Sequence, residues 1–118
     1  MAKEQCEYEP VIGKKGKPYT CSVGATLDVI GGKWKGIILF HLLEEKKRFN
    51  QFRKLMPGIT QRMLTLQLRE LEAEGIIHRK VYSEVPPKVE YSLTEFGMTL
   101  SPIIQSMKVW GDEYAKRI

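Results

Sequence analysis

The side chains most able to do chemistry stand together at Gln61, Arg62, Thr65, Leu66 and Arg69. A guanidinium fork can grip a phosphate or the O6/N7 edge of guanine, an amide can pair with adenine, a hydroxyl serves either, and an apolar side chain can touch a thymine methyl. On a helix turning about 100° per residue, Arg62, Thr65, Leu66, Arg69 and Ala73 share one side and Leu64, Leu68 and Leu71 the other. One side is suited to burial and the other to an anionic, base-bearing partner. Glu70, Glu72 and Glu74 are confined to the far end, so the cationic half coincides with the helix N-terminus, which already favours anions. Taken alone the pattern also fits an ordinary surface helix, so its context decides.

The flanking residues supply that context. Thr60 is an N-cap, Gly75 a stop and Pro57-Gly58 a tight turn, giving a helix of about four turns with boundaries of its own. Ahead of it, Lys46-Lys47-Arg48-Phe49 reads as a short strand, and Asn50 caps a helix containing Phe52, Leu55 and Met56. Helix, Pro-Gly turn and polarised helix form a helix-turn-helix, whose second helix enters a major groove while the first crosses the backbone. Thr60, Gln61, Arg62, Thr65, Leu66 and Arg69 are then expected at bases or adjoining phosphates, and Lys47, Arg48, Arg53 and Lys54 at phosphates.

After Gly75, residues 76–82 and 88–93 alternate as two strands around Ser83-Glu84-Val85-Pro86-Pro87, a loop too long for a two-residue turn. A hairpin in that place is a wing, and Arg79, Lys80 and Lys88 are expected at phosphates or a minor groove, with His78 structural or solvent-facing. Upstream, a helix over about Ser22 to Ile30 carries Val23, Leu27 and Ile30 on one face and breaks at Gly31-Gly32. A second helix runs over Lys33 to Leu43 with Trp34, Ile37, Ile38, His41 and Leu42 at core spacing; His41 reads as a packed core histidine. Residues 1–20 show no periodicity and read as a flexible arm; residues 21–118 form one domain.

At the other end Ser101-Pro102 resembles an N-cap followed by proline, so a break belongs near Leu100. Phe96, Leu100, Ile103, Met107, Trp110 and Tyr114 follow a heptad seam. So much apolar surface on a terminal helix calls for a cover. We expect homodimerisation through Leu27, Leu100, Ile103, Met107, Trp110 and Tyr114, with packing onto the parent domain as the alternative.

Composition agrees. The 118 residues suit one domain, and 42% hydrophobic residues is ordinary for a globular chain. No apolar run is long enough to span a membrane, and the N-terminus has no secretory h-region, so a cytoplasmic location is expected. Two cysteines, Cys6 and Cys21, exclude a disulfide scaffold and a Cys-only zinc site. The net charge of +5 is localised: residues 33–69 hold nine Lys and Arg against Glu44 and Glu45, and the remainder is slightly acidic. That is the distribution of a phosphate-binding face, although a solvated charged face would show it too.

Several stretches then resemble one family. Cys21, Ala25 to Lys35 with Gly31-Gly32-Lys33-Trp34, Arg48 to Phe52, Pro57 to Thr65, Glu84 to Thr94 and Gly97 match, in order and spacing, the HxlR-type bacterial transcription regulators. The resemblance implies a mainly α winged helix-turn-helix of the MarR-like group with a small β-hairpin wing, dimerising through its N- and C-terminal helices. It also implies a non-enzymatic regulator of double-stranded DNA without cofactor, acting as a homodimer on a pseudo-palindromic operator. Some members sense oxidants or electrophiles through a cysteine before the first helix, the place of Cys21; Ser22 stands where proline is usual. A thiol at a helix N-terminus can have a lowered pKa and react as thiolate.

Two other classes bear comparison. A protein-interaction module could use the same surface, but without a steep salt dependence on duplex DNA. An enzyme finds no support: there are no paired carboxylates, no metal-ligand cluster and no nucleophile-base set.

Overall fold

A computed structural model of the chain describes residues 11, 12, 18, 19 and 21–117. Two two-residue strands, β1 (Val11–Ile12) and β2 (Pro18–Tyr19), pair antiparallel, so part of the expected arm is paired; Cys6 and the Lys14 to Lys17 run lie outside the described residues. Then follow α1 (Ser22–Ile30), α2 (Lys35–Glu44), α3 (Phe49–Leu55), α4 (Gln61–Ala73), β3 (Ile77–Tyr82), β4 (Lys88–Leu93), α5 (Glu95–Met98) and α6 (Ser101–Ala115). The architecture is mainly helical with a two-stranded antiparallel hairpin.

The core gathers one face from each main element. Ile38, Leu39 and Leu42 of α2, Phe52 of α3, Leu64, Leu68 and Leu71 of α4, Ile76, Ile77 and Tyr91 around the hairpin and Ile104 of α6 are buried together. The apolar stripe of α4 is therefore its inward face. In α2, which starts at Lys35, the inward set is shifted from expectation: Leu39 is buried, whereas Ile37 is exposed and lines a groove beside α6. His41 is half-buried with its ring edge-on to Phe40, and burial holds its pKa below the usual 6.5 against the opposing pull of Glu44.

The α3–α4 turn is built as its residues dictate. The Met56 amide donates to the Phe52 carbonyl at 2.9 Å, Gly58 adopts a φ of +99° that few other residues tolerate, and Ile59 is buried beneath the turn. The Thr60 hydroxyl then accepts from the Met63 amide at 3.0 Å, starting α4 at Gln61. Asn50 lies inside α3 and does not cap it: Arg48 holds the cap position, its amide donating to Gln51 Oε1 at 2.8 Å.

The hairpin is fastened at both ends. Lys47 forms a single antiparallel bridge with Tyr91, adding one residue of third strand where a longer one was expected. Thr94 caps α5 by accepting from the Gly97 amide and also donates to the Gly75 carbonyl at 2.7 Å. Gly97 sits so close to the Ile76 carbonyl that a Cβ there would lie 2.1 Å from its oxygen, which excludes any side chain without backbone movement.

Candidate nucleic-acid interface

α4 presents Gln61, Arg62, Leu66 and Arg69 to solvent, with Thr65 half-buried beside them. Leu66 is 45% exposed although it lies between buried Leu64 and Leu68, so the outward apolar contact is a property of the helix phase. No acid among the described residues pairs with Arg62 or Arg69. Arg53 and Lys54 are exposed in the last turn of α3, where the helix dipole favours cations, and Arg48 is exposed at its start.

Lys47 corrects the sequence expectation. Paired residues of an antiparallel bridge point to the same side. Tyr91 is buried, so its partner Lys47 turns inward as well, is only 4% exposed, and meets Glu44 at 3.5 Å and Glu45 at 3.6 Å. Its ammonium is not on the phosphate-facing surface. Lys35 is also engaged, with Glu70 at 2.8 Å, and Lys33 lies over the Trp34 ring. The cationic face is thus smaller than the residue count over 33–69 suggests.

Strand alternation divides the wing cations. Arg79 shares the inner face with Tyr91 and, with Gln61, Thr65, Arg69 and Glu72 of α4, lines a polar groove of about 480 Å³. Lys80 and Lys88 lie on the outer face instead. There Lys80 and Lys88 each stand 4.8 Å from the centroid of the Tyr82 ring, and the Tyr82 hydroxyl donates to Glu90 Oε1 at 2.8 Å. Glu90 also meets Lys46 at 3.3 Å and Lys88 at 3.5 Å. The Tyr82 hydrogen bond, followed by Lys46, holds the Glu90 carboxyl below its usual 4.5 against the opposing effect of burial. Sequence reasoning assigned no role to Lys46, Tyr82 or Glu90; the equal parity of Tyr82 and Glu90 across the paired strands was the available signal.

Away from this face, α6 sends only Ile104 fully into the core. Ile103, Met107, Trp110 and Tyr114 remain exposed, and Trp110 stacks on Tyr114 with centroids 5.3 Å apart. Leu100 departs from the expected seam: it is the cap residue of α6 and packs partly buried against the protomer's own core. Val23 and Leu27 of α1 are 62% and 57% exposed. A groove of about 370 Å³, lined by Ile30, Ile37, Phe40, Ile104 and Met107 among others, runs between the N-terminal helices and α6. Cys21 is half-buried at the cap position of α1, in extended backbone. Among the described residues no group of three His, Cys, Asp or Glu could hold a metal, and no helix is long and apolar enough to cross a membrane.

The HxlR-like helix-turn-helix family model matches residues 29–118. The chain belongs to this family. It is 71% identical over 98 residues to the Bacillus subtilis (strain 168) HTH-type transcriptional regulator YdeP, covering 83% of this chain and 77% of that one. A solved structure of the redox regulator HypR in its oxidized form superposes with a TM-score of 0.77 at 70% identity, over 79% of this chain and 96% of that chain. The reduced form of the transcriptional regulator YodB from B. subtilis gives 0.69 at 35% identity, over 82% and 95%. This HxlR-family chain is a winged helix-turn-helix transcriptional regulator, and the hairpin after α4 is its wing.

Proposed function

We propose that this regulator binds a pseudo-palindromic operator in double-stranded DNA as a homodimer, with α4 of each protomer in successive major grooves about one helical turn, ~34 Å, apart. The observation that carries this reading is the outward face of α4, where Arg62 and Arg69 are exposed without an acidic partner among the described residues. Gln61, Arg62, Thr65, Leu66 and Arg69 read bases or adjoining phosphates after the Thr60 cap. Arg48, Arg53, Lys54, Arg79 and Lys88 hold the backbone. The exposed apolar residues of α6 and α1 are the dimer surface, centred on Leu27, Ile103, Met107, Trp110 and Tyr114. An apolar surface of this extent on a small protomer favours burial against a second copy.

The test is fluorescence anisotropy on a duplex that the protein itself selects from a random pool. Arg62→Ala should cost about 1–3 kcal/mol and relax preference at its base positions, whereas Lys54→Ala should weaken all sequences alike. An equal loss from Arg62→Ala on every sequence would remove direct readout by that residue.

Cys21 gives the regulator its response to oxidants or electrophiles. The reading is supported by its place at the N-terminus of α1, which stabilises a thiolate, and by the likeness to a redox regulator. Cys21→Ser should bind the operator as the wild type does and lose the change in affinity on oxidant treatment. A serine variant that keeps the full response would remove Cys21 as the sensor.

A further inference from the structure

We propose that Glu70 is a positioning residue for the reading helix: its ion pair with Lys35 ties the C-terminal end of α4 to the first turn of α2 and thereby sets the distance between half-sites that the dimer accepts. The inference rests on the DNA-binding reading and adds to it a determinant of operator spacing outside the reading residues.

Lys35 Nζ and Glu70 Oε1 stand 2.8 Å apart, with the Lys35 side chain 13% exposed and that of Glu70 46%. Each charge is misplaced within its own helix. Lys35 is the first residue of α2, where the positive end of the helix disfavours a cation, and Glu70 opens the last turn of α4, where the negative end disfavours an anion. Pairing reverses both signs: the ammonium is brought to the negative end of α4 and the carboxylate to the positive end of α2. The first turn of α2 holds no acid and the last turn of α4 no base, so neither helix offers a local partner. Local preference would place neither residue where it stands, and the link between the two helices is what both positions serve. Among the described residues it is the single ion pair made by α4. A pair with one member half in solvent stabilises the fold only modestly, so its main effect is on direction.

The same turn of α2 meets the proposed dimer helix. A Cβ on Gly36, the residue after Lys35, would lie 3.6 Å from Met107 Cε of α6, and Ile37 lines the groove beside α6. Consecutive residues of α2 thus join the surface proposed to bury the second copy to the far end of the reading helix. With 13 residues, α4 is about 20 Å long at 1.5 Å per residue. A tilt of about 10° around the tied end moves the Gln61 end by roughly 3.5 Å, close to the ~3.4 Å rise of one base pair. A symmetric dimer makes that displacement twice. The inward leucines hold α4 to the core by apolar contact, which is non-directional; the ion pair adds a directional restraint at the end where leverage on Gln61 is greatest.

The experiment measures affinity of the full chain for duplexes in which the two selected half-sites are moved apart or together one base pair at a time, and for a duplex carrying a single half-site. The wild type should prefer one spacing over its neighbours by at least about tenfold. Glu70→Gln, an isosteric change, should reduce that preference to about threefold or less while affinity for the single half-site stays within about twofold. If Lys35, left without its partner at 13% exposure, lowers the melting point of that variant, Lys35→Met carries the same test, because it leaves only the more exposed member unpaired. The reversed pair Lys35→Glu/Glu70→Lys keeps the link, suits both helix ends and should restore the preference. A folded Glu70→Gln or Lys35→Met protein with the wild-type spacing preference overturns the proposal, as does a folded reversed pair that fails to restore it. An equal loss on every duplex, single half-site included, is the result of a merely structural role and overturns it too, as does a wild type that binds all spacings alike. A wild type that binds no duplex at all removes the preceding reading instead, so the two failures are distinguishable.

Discussion

Trp110→Ala should dissociate the proposed dimer while leaving the protomer folded. Trp110 is 68% exposed on the protomer, touches Tyr114, and takes no part in the buried core. A tryptophan carries roughly 200 Å² of surface, so about 140 Å² per copy is open to cover. At ~25 cal/mol per Å² this corresponds to about 3.5 kcal/mol per copy and ~7 kcal/mol for a symmetric pair. Buried area converts only in part to affinity, so about half, 3–4 kcal/mol, is the working figure. At 1.4 kcal/mol per tenfold, roughly a several-hundred-fold rise in the dimer dissociation constant follows. Sedimentation equilibrium from nanomolar to millimolar protein reads that constant, and far-UV circular dichroism reports the protomer. A Trp110→Ala protein that dimerises as tightly as the wild type would refute the argument, as would a wild type that is monomeric at micromolar concentration.

Other outcomes follow from single contacts. Thr60→Ala loses the bond to the Met63 amide and should lower stability by about 1 kcal/mol in urea titration, together with operator affinity, because the cap sets the start of α4. Lys47→Met removes a buried ammonium whose partners, Glu44 and Glu45, are 65% and 70% exposed; stability should be unchanged or rise by about 1 kcal/mol. The salt slope on DNA should also be unchanged, and a loss above about 2 kcal/mol would show that the pair is needed. His41 has a folded pKa held below 6.5 by burial, so the unfolded chain takes up the proton first. Its contribution is full above about pH 6.5 and is lost as pH falls toward the folded value, so the urea midpoint should drop between pH 7.5 and 5.5. His41→Gln should show a smaller drop; an equal one would remove His41 as the cause.

The local signals in the chain were strong enough to place most elements. α1 runs over Ser22–Ile30 as its spacing and the Gly31-Gly32 break require, and α4 begins after Thr60 for the reason its hydroxyl suggests. The inward leucines of α4 and the outward Arg62, Leu66 and Arg69 follow from helical phase alone. These properties depend on residues within four positions of one another. Where a boundary moved, as at Asn50, two neighbouring residues competed for the cap and Arg48 took it through the reach of Gln51.

Sequence alone therefore determined the helix-turn-helix, the wing and the polarity of the reading face, because caps, periodicities and turn residues act locally. Tertiary structure decided where the long or ambiguous side chains went. Lys47 turned inward because its bridge partner Tyr91 is buried, Leu100 joined its own core because α6 is anchored through Ile104, and Lys46 met Glu90 across more than forty residues of chain. A lysine's flexible stem permits either direction, and only the surface packed against its backbone selects one.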